Sequence, residues 1–358
     1  MNWLLIHCMI RLGSSSIGNP TDLFREFSDW VAQIDSGKPI PDLEAAEEMV
    51  DGTRIELGSL LARTRFAVLY LVKRDPRRII RYQVDRDSEW EHDAMIRHAF
   101  FLDFFRETGF VPRLDYISPA VRLPERITAK TDFVLDNDEF VRLHMWRRSI
   151  RFMVLENAGT SVFKWVKMWG RLRLATAIQL LKDLVIKIQV IHASGIVHGD
   201  IHPGNVLMAN HREVKLIDFE LAKFPHEIRT GRIRAPHAHS DCFYGLADME
   251  GYDYSYQDDV FRAMVVGGQL IGGMPWYDYC VSLNSDSFDL YRFKKHGSFF
   301  EIPDVFSLAD IVGDLSVLAT IRRQLGVVMS KVRERSDPHA KPDYAGIVAA
   351  LDIILSAL

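Results

Sequence analysis

The sequence has few cysteines, no long hydrophobic run and no strong excess of charge of one sign. Its three cysteines, Cys8, Cys242 and Cys280, are far apart, which excludes a disulfide-rich scaffold and favours a reducing, cytoplasmic location. The apolar run at residues 3–6 leaves secretion open. The longest largely apolar stretch, residues 263–274, is too short to span a bilayer and is interpreted as a buried helix. A net charge of −4 gives no reason to expect nucleic acid as a partner.

The pattern of apolar residues divides the chain into three parts. Residues 1–50 are predicted to form a helical extension, because a capping sequence precedes apolar residues at helical spacing. Residues 51–155 contain several strand-like runs, one helix predicted at 88–107 and a polar insertion at 119–149. Residues 156–358 are mainly helical. Strands followed by helices predict an α+β protein with a small sheet lobe and a larger helical lobe. The predicted strands are Phe66–Val72, Arg78–Val84, Val111–Tyr116 and Arg151–Leu155.

One polar segment combines acidic and amide side chains at a spacing that suits phosphoryl transfer. Asp200 follows His198 and precedes Asn205, and Asp218 comes directly after a hydrophobic run. Phosphoryl transfer needs a carboxylate that orients the attacking hydroxyl, and oxygen ligands that hold magnesium against the phosphates. Asp200 suits the first role, and Asn205 and Asp218 suit the second. A turn-rich surface loop uses the same residue types, but the two parts of the pattern occur together, which favours the catalytic interpretation.

This segment resembles the catalytic loop and the metal-binding segment of the protein-kinase superfamily. The resemblance implies a bilobal fold with a small antiparallel-sheet N-lobe and a mainly helical C-lobe, and it implies ATP and Mg²⁺ as cofactors. It also implies that Asp200 is the catalytic carboxylate, that His198 supports the loop, and that Asn205 and Asp218 bind the metal.

The resemblance extends through the N-terminal half of the chain. Arg81 falls where the family has a lysine on its third strand, and Glu91 falls where the glutamate partner of that lysine lies. Leu155 would be the gatekeeper before the hinge, and the backbones of Glu156 and Ala158 would contact adenine. The nucleotide-binding residues that the resemblance implies are Ala62, Thr64, Phe66, Ala67, Leu69, Ile79, Arg81, Leu155, Glu156, Ala158, Leu207 and Ile217.

The C-terminal half also resembles a protein kinase. Residues 230–237 are similar to the end of an activation segment, and residues 341–344 are similar to the closing segment of the domain. Asp259 would cap the backbone of the catalytic loop from a central buried helix. The overall pattern is most similar to casein-kinase-one and vaccinia-related serine/threonine kinases.

The N-terminal half departs from the superfamily pattern in two places. The loop that covers the phosphates is rich in glycine in the family, but Ala62, Thr64 and Ala67 occupy the three glycine positions here. Side chains at these positions keep the backbone amides further from a phosphate. Arg81 replaces the lysine, and its planar fork differs from a compact ammonium group, so Lys73 is kept as an alternative donor.

Three further departures lie in the catalytic segment. Gly199 stands where regulated kinases carry an arginine that pairs with a phosphorylated loop, so we expect a non-RD kinase whose activity does not require that phosphorylation. Glu220 replaces the glycine of the Asp-Phe-Gly triplet and is expected to hold Asp218 in one position. His202 replaces a lysine, and the surrounding sequence is similar to that of aminoglycoside and choline phosphotransferases.

Three functions therefore follow from the sequence. The first is a monomeric serine/threonine protein kinase whose partner is a protein that offers a serine or threonine hydroxyl. The second is a small-molecule phosphotransferase, which the amino-acid sequence of the catalytic loop favours. The third is a pseudokinase that binds nucleotide or acts as a scaffold, which Arg81 and the glycine-free loop favour. The C-terminal half decides for the first, because small-molecule kinases resemble protein kinases poorly there.

Overall fold

The computed structural model describes ten ranges of the chain, to which the following account is confined. They are residues 20–34, 55–63, 67–84, 94–119, 121–122, 149–209, 213–227, 255–273, 312–333 and 340–358. The α-helices in these ranges are α1 (Pro20–Ile34), α2 (Ala94–Phe104), α3 (Val162–Trp169), α4 (Leu174–Ala193), α5 (Tyr256–Gly272), α6 (Leu315–Arg333) and α7 (Tyr344–Ala357). The strands are β1 (Leu57–Arg63), β2 (Ala67–Val72), β3 (Arg78–Val84), β4 (Leu114–Ile117), β5 (Val121–Arg122), β6 (Ser149–Glu156), β7 (Thr160–Ser161), β8 (Val206–Ala209) and β9 (Glu213–Leu216).

The chain forms two compact units. The first, named here the sheet unit, comprises Thr21–Ala158 together with the short segment Ile217–Glu220. The second, named the helical unit, includes Gly159–Leu216 and Leu221–Leu358. Each unit buries its own apolar residues, as expected for two domains with separate cores. The predicted α+β fold class, with an antiparallel sheet and a mainly helical part, is confirmed.

The sheet unit is built on antiparallel pairing. Its sheet has the order β1-β2-β3-β6-β4, and β5 pairs with the N-terminal end of β6. Ile80, Phe152 and Val154 of the central strands are completely buried, so β3 and β6 form the centre of the core. Sequence reasoning located these two strands because they are rich in β-branched and aromatic residues.

Two helices complete the sheet unit. The ring of Phe100 on α2 packs edge-to-face against Phe27 and Trp30 of α1, with centroid distances of 5.2 and 5.7 Å. The helix predicted in the N-terminal extension therefore exists, and its apolar face covers α2. The helix predicted at 88–107 is described from Ala94 and ends at Phe104, after which a 3₁₀ turn leads to Gly109 with a φ of 72°.

One predicted strand begins later than expected. The pattern from Val111 to Tyr116 predicts a strand, but β4 begins at Leu114 and pairs with β6 from there. Pro112 has no backbone N–H to donate to a ladder, which accounts for the late start.

In the helical unit, α4 packs against α5 and α7, and α6 packs against α7 and α5. One face of α4 is buried along its length, and the neighbouring α5 is buried on nearly all sides. Gly267 of α5 lies so close to Leu181 that a Cβ there would be 2.7 Å from the leucine Cδ2, so the small residue permits this close packing. The stretch at 263–274 was predicted to be a buried helix, and its residues up to Gly272 lie in α5, with Gly273 as the C-cap.

A small second sheet, of order β7-β8-β9 within the described residues, completes this unit. No helix in the described part of the chain combines the length and apolarity needed to cross a membrane.

Candidate active site

The loop that carries Asp200 is fastened to α5 by one buried carboxylate. Asp259 Oδ2 accepts a hydrogen bond from the backbone N of His198 at 2.7 Å, and Oδ1 accepts one from the backbone N of Gly199 at 3.1 Å. Nε2 of His192, on α4, lies 2.8 Å from the same carboxylate. Asp259 is completely buried. The predicted capping of this loop by Asp259 is therefore confirmed.

Gly199 has a backbone that only glycine adopts readily. Its φ is 81°, and a Cβ added there would lie 2.4 Å from the backbone O of Leu221. His198, on one side, is buried, and its Nδ1 accepts a hydrogen bond from the backbone N of Asp200 at 3.3 Å. The departure at Gly199 is thus a structural requirement of this loop, and the ring of His198 is hydrogen-bonded to the backbone of the same loop.

Asp200 is surrounded by groups that favour its charged form. Asn205 Nδ2 donates to Asp200 Oδ2 at 2.9 Å and to its backbone O at 3.0 Å. His202 Nε2 lies 3.6 Å from Oδ2, and Arg262 Nη1 lies 3.4 Å from Oδ1. Burial alone would disfavour the charge, but His202 and Arg262 hold the pKa of Asp200 below its ordinary value.

The orientation of His202 follows from its second nitrogen. Gly204 donates its backbone N–H to Nδ1 of His202 at 3.1 Å. In the neutral ring the hydrogen therefore lies on Nε2, the atom that faces Asp200. His202 thus acts as a donor toward the carboxylate, in the position where the family has a lysine.

The segment Ile217–Glu220 is anchored in the sheet unit by Phe219. The ring of Phe219 is completely buried and packs against Phe101 and Phe105, at centroid distances of 5.7 and 5.9 Å. Its backbone N donates to Nδ1 of His98 on α2 at 3.1 Å. Asp218, just before it, has a φ of 68°, which lies in the left-handed region that residues other than glycine rarely adopt.

Arg81 of β3 contacts two carboxylates of this segment. Its Nη2 is hydrogen-bonded to Glu220 Oε1, and its Nη1 lies 3.8 Å from Asp218 Oδ1. Burial opposes the charge of the guanidinium, but Glu220 and then Asp218 offset it, so the pKa of Arg81 is raised above its ordinary value. Glu91, the partner predicted for Arg81, lies outside the described residues. Glu220 was expected to restrain Asp218, but its contact with Arg81 was not foreseen.

The alternative donor Lys73 is placed elsewhere. Its side chain is 68% exposed, and its Nζ lies 3.6 Å from Glu56 Oε2. It therefore does not share the environment of Arg81, whose guanidinium lies beside Asp218.

Several of the residues predicted to bind nucleotide occupy neighbouring positions of the large sheet. Across the strands, Ala62 pairs with Leu69, Leu69 pairs with Arg81, and Ile79 pairs with Leu155. Glu156 and Ala158 follow at the end of β6, Ala67 begins β2, Leu207 lies on β8 in the helical unit, and Ile217 precedes Asp218. Thr64 and Phe66 lie outside the described residues.

The backbone amide of Glu156, a residue whose backbone was predicted to contact adenine, is hydrogen-bonded within the sheet unit. The backbone N of Glu156 donates to the backbone O of Arg113 at 2.9 Å, and Glu156 Oε2 accepts from the backbone N of Arg113 at 3.0 Å. The amide N–H of Glu156 is therefore already used within the sheet, because β6 continues its pairing to this residue.

Sequence reasoning missed Arg262 as a neighbour of Asp200. A lone arginine stands between apolar residues of α5, and its side chain is 1% exposed. A charged residue inside an apolar helical run is buried only when it has partners. The charged residue within an apolar run was therefore the signal in the sequence that could have identified Arg262 as buried and paired.

The protein kinase domain family model matches residues 135–237. This range includes Asp200, Asn205 and the segment around Asp218.

Among individual relatives, the serine/threonine-protein kinase PknA of Mycobacterium tuberculosis is 28% identical over 162 residues, which is 41% of this chain. The serine/threonine-protein kinase drp72 of Corynebacterium efficiens is 29% identical over 126 residues, 34% of this chain. The CBL-interacting serine/threonine-protein kinase 7 of Arabidopsis thaliana is 27% identical over 141 residues, 37% of this chain. The matches span 36%, 24% and 32% of the lengths of these relatives. They support a relationship to the protein-kinase-like superfamily and to serine/threonine protein kinases.

Proposed function

We propose that this chain is an ATP-dependent protein kinase that phosphorylates serine or threonine hydroxyls. The observation that carries the proposal is the pair of hydrogen bonds from Asn205 Nδ2 to Asp200. These bonds fix the carboxylate that would receive the acceptor hydroxyl. They also leave the side-chain oxygen of Asn205 as the atom of that amide suited to a cation.

The side chains fit a magnesium–nucleotide cofactor in their chemistry. Asn205 and Asp218 offer the oxygen ligands that Mg²⁺ prefers, and Arg81 offers a fork that binds phosphate oxygens. Arg81 Nε is a buried donor without a hydrogen-bond partner among the described residues, which indicates donor capacity beyond its carboxylate contacts. When bound, the metal would neutralise the charge of the phosphates.

Within this proposal each residue has a distinct task. Asp200 orients the acceptor hydroxyl and accepts its proton, which suits a carboxylate that His202 and Arg262 keep ionised. Arg81 binds the phosphates. His198 and Asp259 hold the catalytic loop. Catalysis then rests on position and on charge neutralisation.

Further parts of the proposal rest on the sequence pattern. We propose a non-RD kinase in which Gly199 makes activity independent of activation-loop phosphorylation. We also propose the closest likeness to casein-kinase-one and vaccinia-related kinases, a cytoplasmic location and a monomeric state. The proposed N-lobe is 51–155 and the proposed C-lobe 156–358, preceded by an extension of residues 1–50.

A second candidate is a small-molecule phosphotransferase. The contact of His202 with Asp200 favours it, because this histidine belongs to the loop sequence shared with aminoglycoside and choline phosphotransferases. The intact carboxylates and the described contacts around Asp259 serve either acceptor equally, so the acceptor has to be found by experiment.

The test is phosphate transfer from radiolabelled ATP by the purified full chain, with casein, aminoglycosides and choline as parallel acceptors. Labelled protein supports the first candidate, and a labelled small molecule supports the second. Asp200→Asn should lower transfer by about a hundredfold or more while nucleotide binding persists. Asp314→Asn is the matched control, because Asp314 is exposed and asparagine also caps a helix. Normal turnover by Asp200→Asn would overturn the proposal.

A further inference from the structure

The two clearest departures from the kinase pattern, at positions 81 and 220, contact each other. Arg81 stands where the family has lysine, and Glu220 stands where it has glycine. Nη2 of Arg81 is hydrogen-bonded to Oε1 of Glu220. The residues are 139 positions apart, so the contact is made by the fold and not by local chain geometry.

Both partners are held by rigid parts of the sheet unit. Arg81 lies on the central strand β3, where it pairs with Leu69 on one side and Met153 on the other. Glu220 follows Phe219, whose buried ring and backbone hydrogen bond to His98 fix the segment. An ion pair between fixed groups loses less side-chain entropy than a pair between mobile ones.

The pair is also largely withdrawn from water. The side chains of Arg81 and Glu220 are 13% and 22% exposed. Removing one partner of such a pair leaves a charge with poor solvation, which is far more disruptive than breaking an exposed pair. Glycine at position 220 would remove this partner and leave Asp218, at 3.8 Å, beside the guanidinium.

The shape of arginine explains why the two departures belong together. A guanidinium presents two terminal nitrogens in a plane, so one can bind Glu220 while the other faces Asp218. A lysine offers a single nitrogen, which would have to lie within reach of both carboxylates to contact both. Arg81 and Glu220 therefore complement each other in charge and in shape.

We propose that Glu220 is a positioning residue that holds Arg81 for phosphate binding, taking the part that the sequence pattern gives to Glu91. The inference rests on the proposed function, since it assigns Arg81 to the phosphates of ATP. Glu220 itself does not touch the nucleotide in this proposal. It acts through Arg81.

The test compares Glu220→Gln with Glu107→Gln in the full chain. Glu107→Gln removes an exposed Arg–Glu pair, with side chains 51% and 59% exposed, and is the matched control. ATP affinity, KM for ATP, kcat and thermal stability are measured for both. Glu220→Gln should weaken ATP binding and raise KM for ATP by about tenfold to a hundredfold, because Arg81 would no longer be held in position to contact the phosphates. The control should stay within about twofold of wild type.

A double-mutant cycle separates positioning from a merely structural role. Arg81→Gln should weaken ATP binding, and adding Glu220→Gln to it should cause little further loss. The double variant also removes both buried charges, so it stays folded if Glu220→Gln alone does not. Additive losses of affinity would overturn the inference, as would a normal KM in Glu220→Gln.

The remaining outcomes are also decisive. A large loss in Glu91→Gln with no loss in Glu220→Gln would return the role to Glu91. Wild-type transfer with an unaffected Glu220→Gln overturns this inference alone. Absence of both nucleotide binding and transfer in the wild-type chain overturns the proposed function, and this inference with it.

Discussion

The guanidinium of Arg262 lies 3.4 Å from the Asp200 carboxylate, although the two residues are 62 positions apart and the arginine is 1% exposed. The positive charge is thus supplied from α5, beneath the catalytic loop. The guanidinium of Arg262 contacts Oδ1 of Asp200, while Asn205 Nδ2 donates a hydrogen bond to Oδ2. The carboxylate is therefore held at both of its oxygens.

Arg262→Met should lower kcat by about tenfold to a hundredfold and leave KM for ATP within a few fold, because the change loosens Asp200 and leaves Arg81 in place. Arg262→Lys should recover part of kcat, since it restores the charge without the fork. Steady-state kinetics with the acceptor found for the wild type provide the measurement. Arg323→Met, at an exposed position of α6, is the control. Equal kcat in Arg262→Met and wild type would contradict the role.

Gly199→Ala should destabilise the protein more than Gly109→Ala. Both glycines have positive φ, 81° and 72°, so the backbone cost of alanine is similar and about 1 kcal/mol. Only Gly199 adds a clash, with the Leu221 carbonyl 2.4 Å from the new Cβ, whereas Gly109 has nothing within 4 Å. We expect a further loss of about 2 kcal/mol in the free energy of unfolding. Urea denaturation measures the difference, and equal losses would contradict it.

The same clash bears on regulation. An arginine at position 199, as in regulated kinases, would already clash with the Leu221 carbonyl through its Cβ atom. Gly199→Arg is therefore expected to disrupt the loop and not to create a phosphate-responsive kinase. Phosphatase treatment should leave wild-type activity unchanged, and its loss would refute the proposed independence from phosphorylation.

The free energy of unfolding should fall as the pH drops below about 6.5, the ordinary pKa of histidine. Burial lowers the pKa of His192, against the raising effect of Asp259. The unfolded chain then binds this proton more readily than the folded chain. The stabilising contribution is complete above pH 6.5 and is lost as the pH falls toward the folded pKa. For one proton the slope is about 1.4 kcal/mol per pH unit.

Denaturation of wild type and His192→Gln at several pH values between 5 and 8 isolates this residue. The variant should have the smaller pH slope by up to one proton. Its absolute stability should also be lower, because Tyr344 OH and Asp259 both contact the wild-type ring. Identical slopes would show that His192 does not titrate differently on folding.

Phe27→Ala should lower the free energy of unfolding by about 3 kcal/mol, because the ring is 4% exposed and packs against Phe100. Arg97 also lies over its face at 5.6 Å. Phe24→Ala, on the same helix but 37% exposed, should cost about 1 kcal/mol or less. Chemical denaturation compares the two. Similar losses would mean that α1 does not dock on α2 through Phe27.

The sequence was sufficient for elements whose signal is local. The run Arg78–Val84 predicts β3 at its observed bounds, since it contains several of the β-branched and aromatic residues that are enriched in strands. The spacing of Asp200 and Asn205 likewise predicts their proximity, because both lie on one short loop.

Contacts between distant parts of the chain were beyond that reasoning. No periodicity links Arg81 to Glu220 or Asp200 to Arg262, because each pair is joined only when separate elements pack. Pro112 shows the opposite case, in which a local rule was present in the sequence and predicts the late start of β4.

Asp218 bears on folding as well as on chemistry. Among the described residues it is the one side-chain-bearing position with a positive φ. Such a backbone costs about 1 kcal/mol or more, and glycine would adopt it freely. Asp218→Gly is thus expected to raise the melting temperature while removing phosphoryl transfer, and a lower melting temperature would contradict this. If the substitution stabilises the fold but abolishes activity, the aspartate is present for its carboxylate, although its backbone conformation would favour glycine.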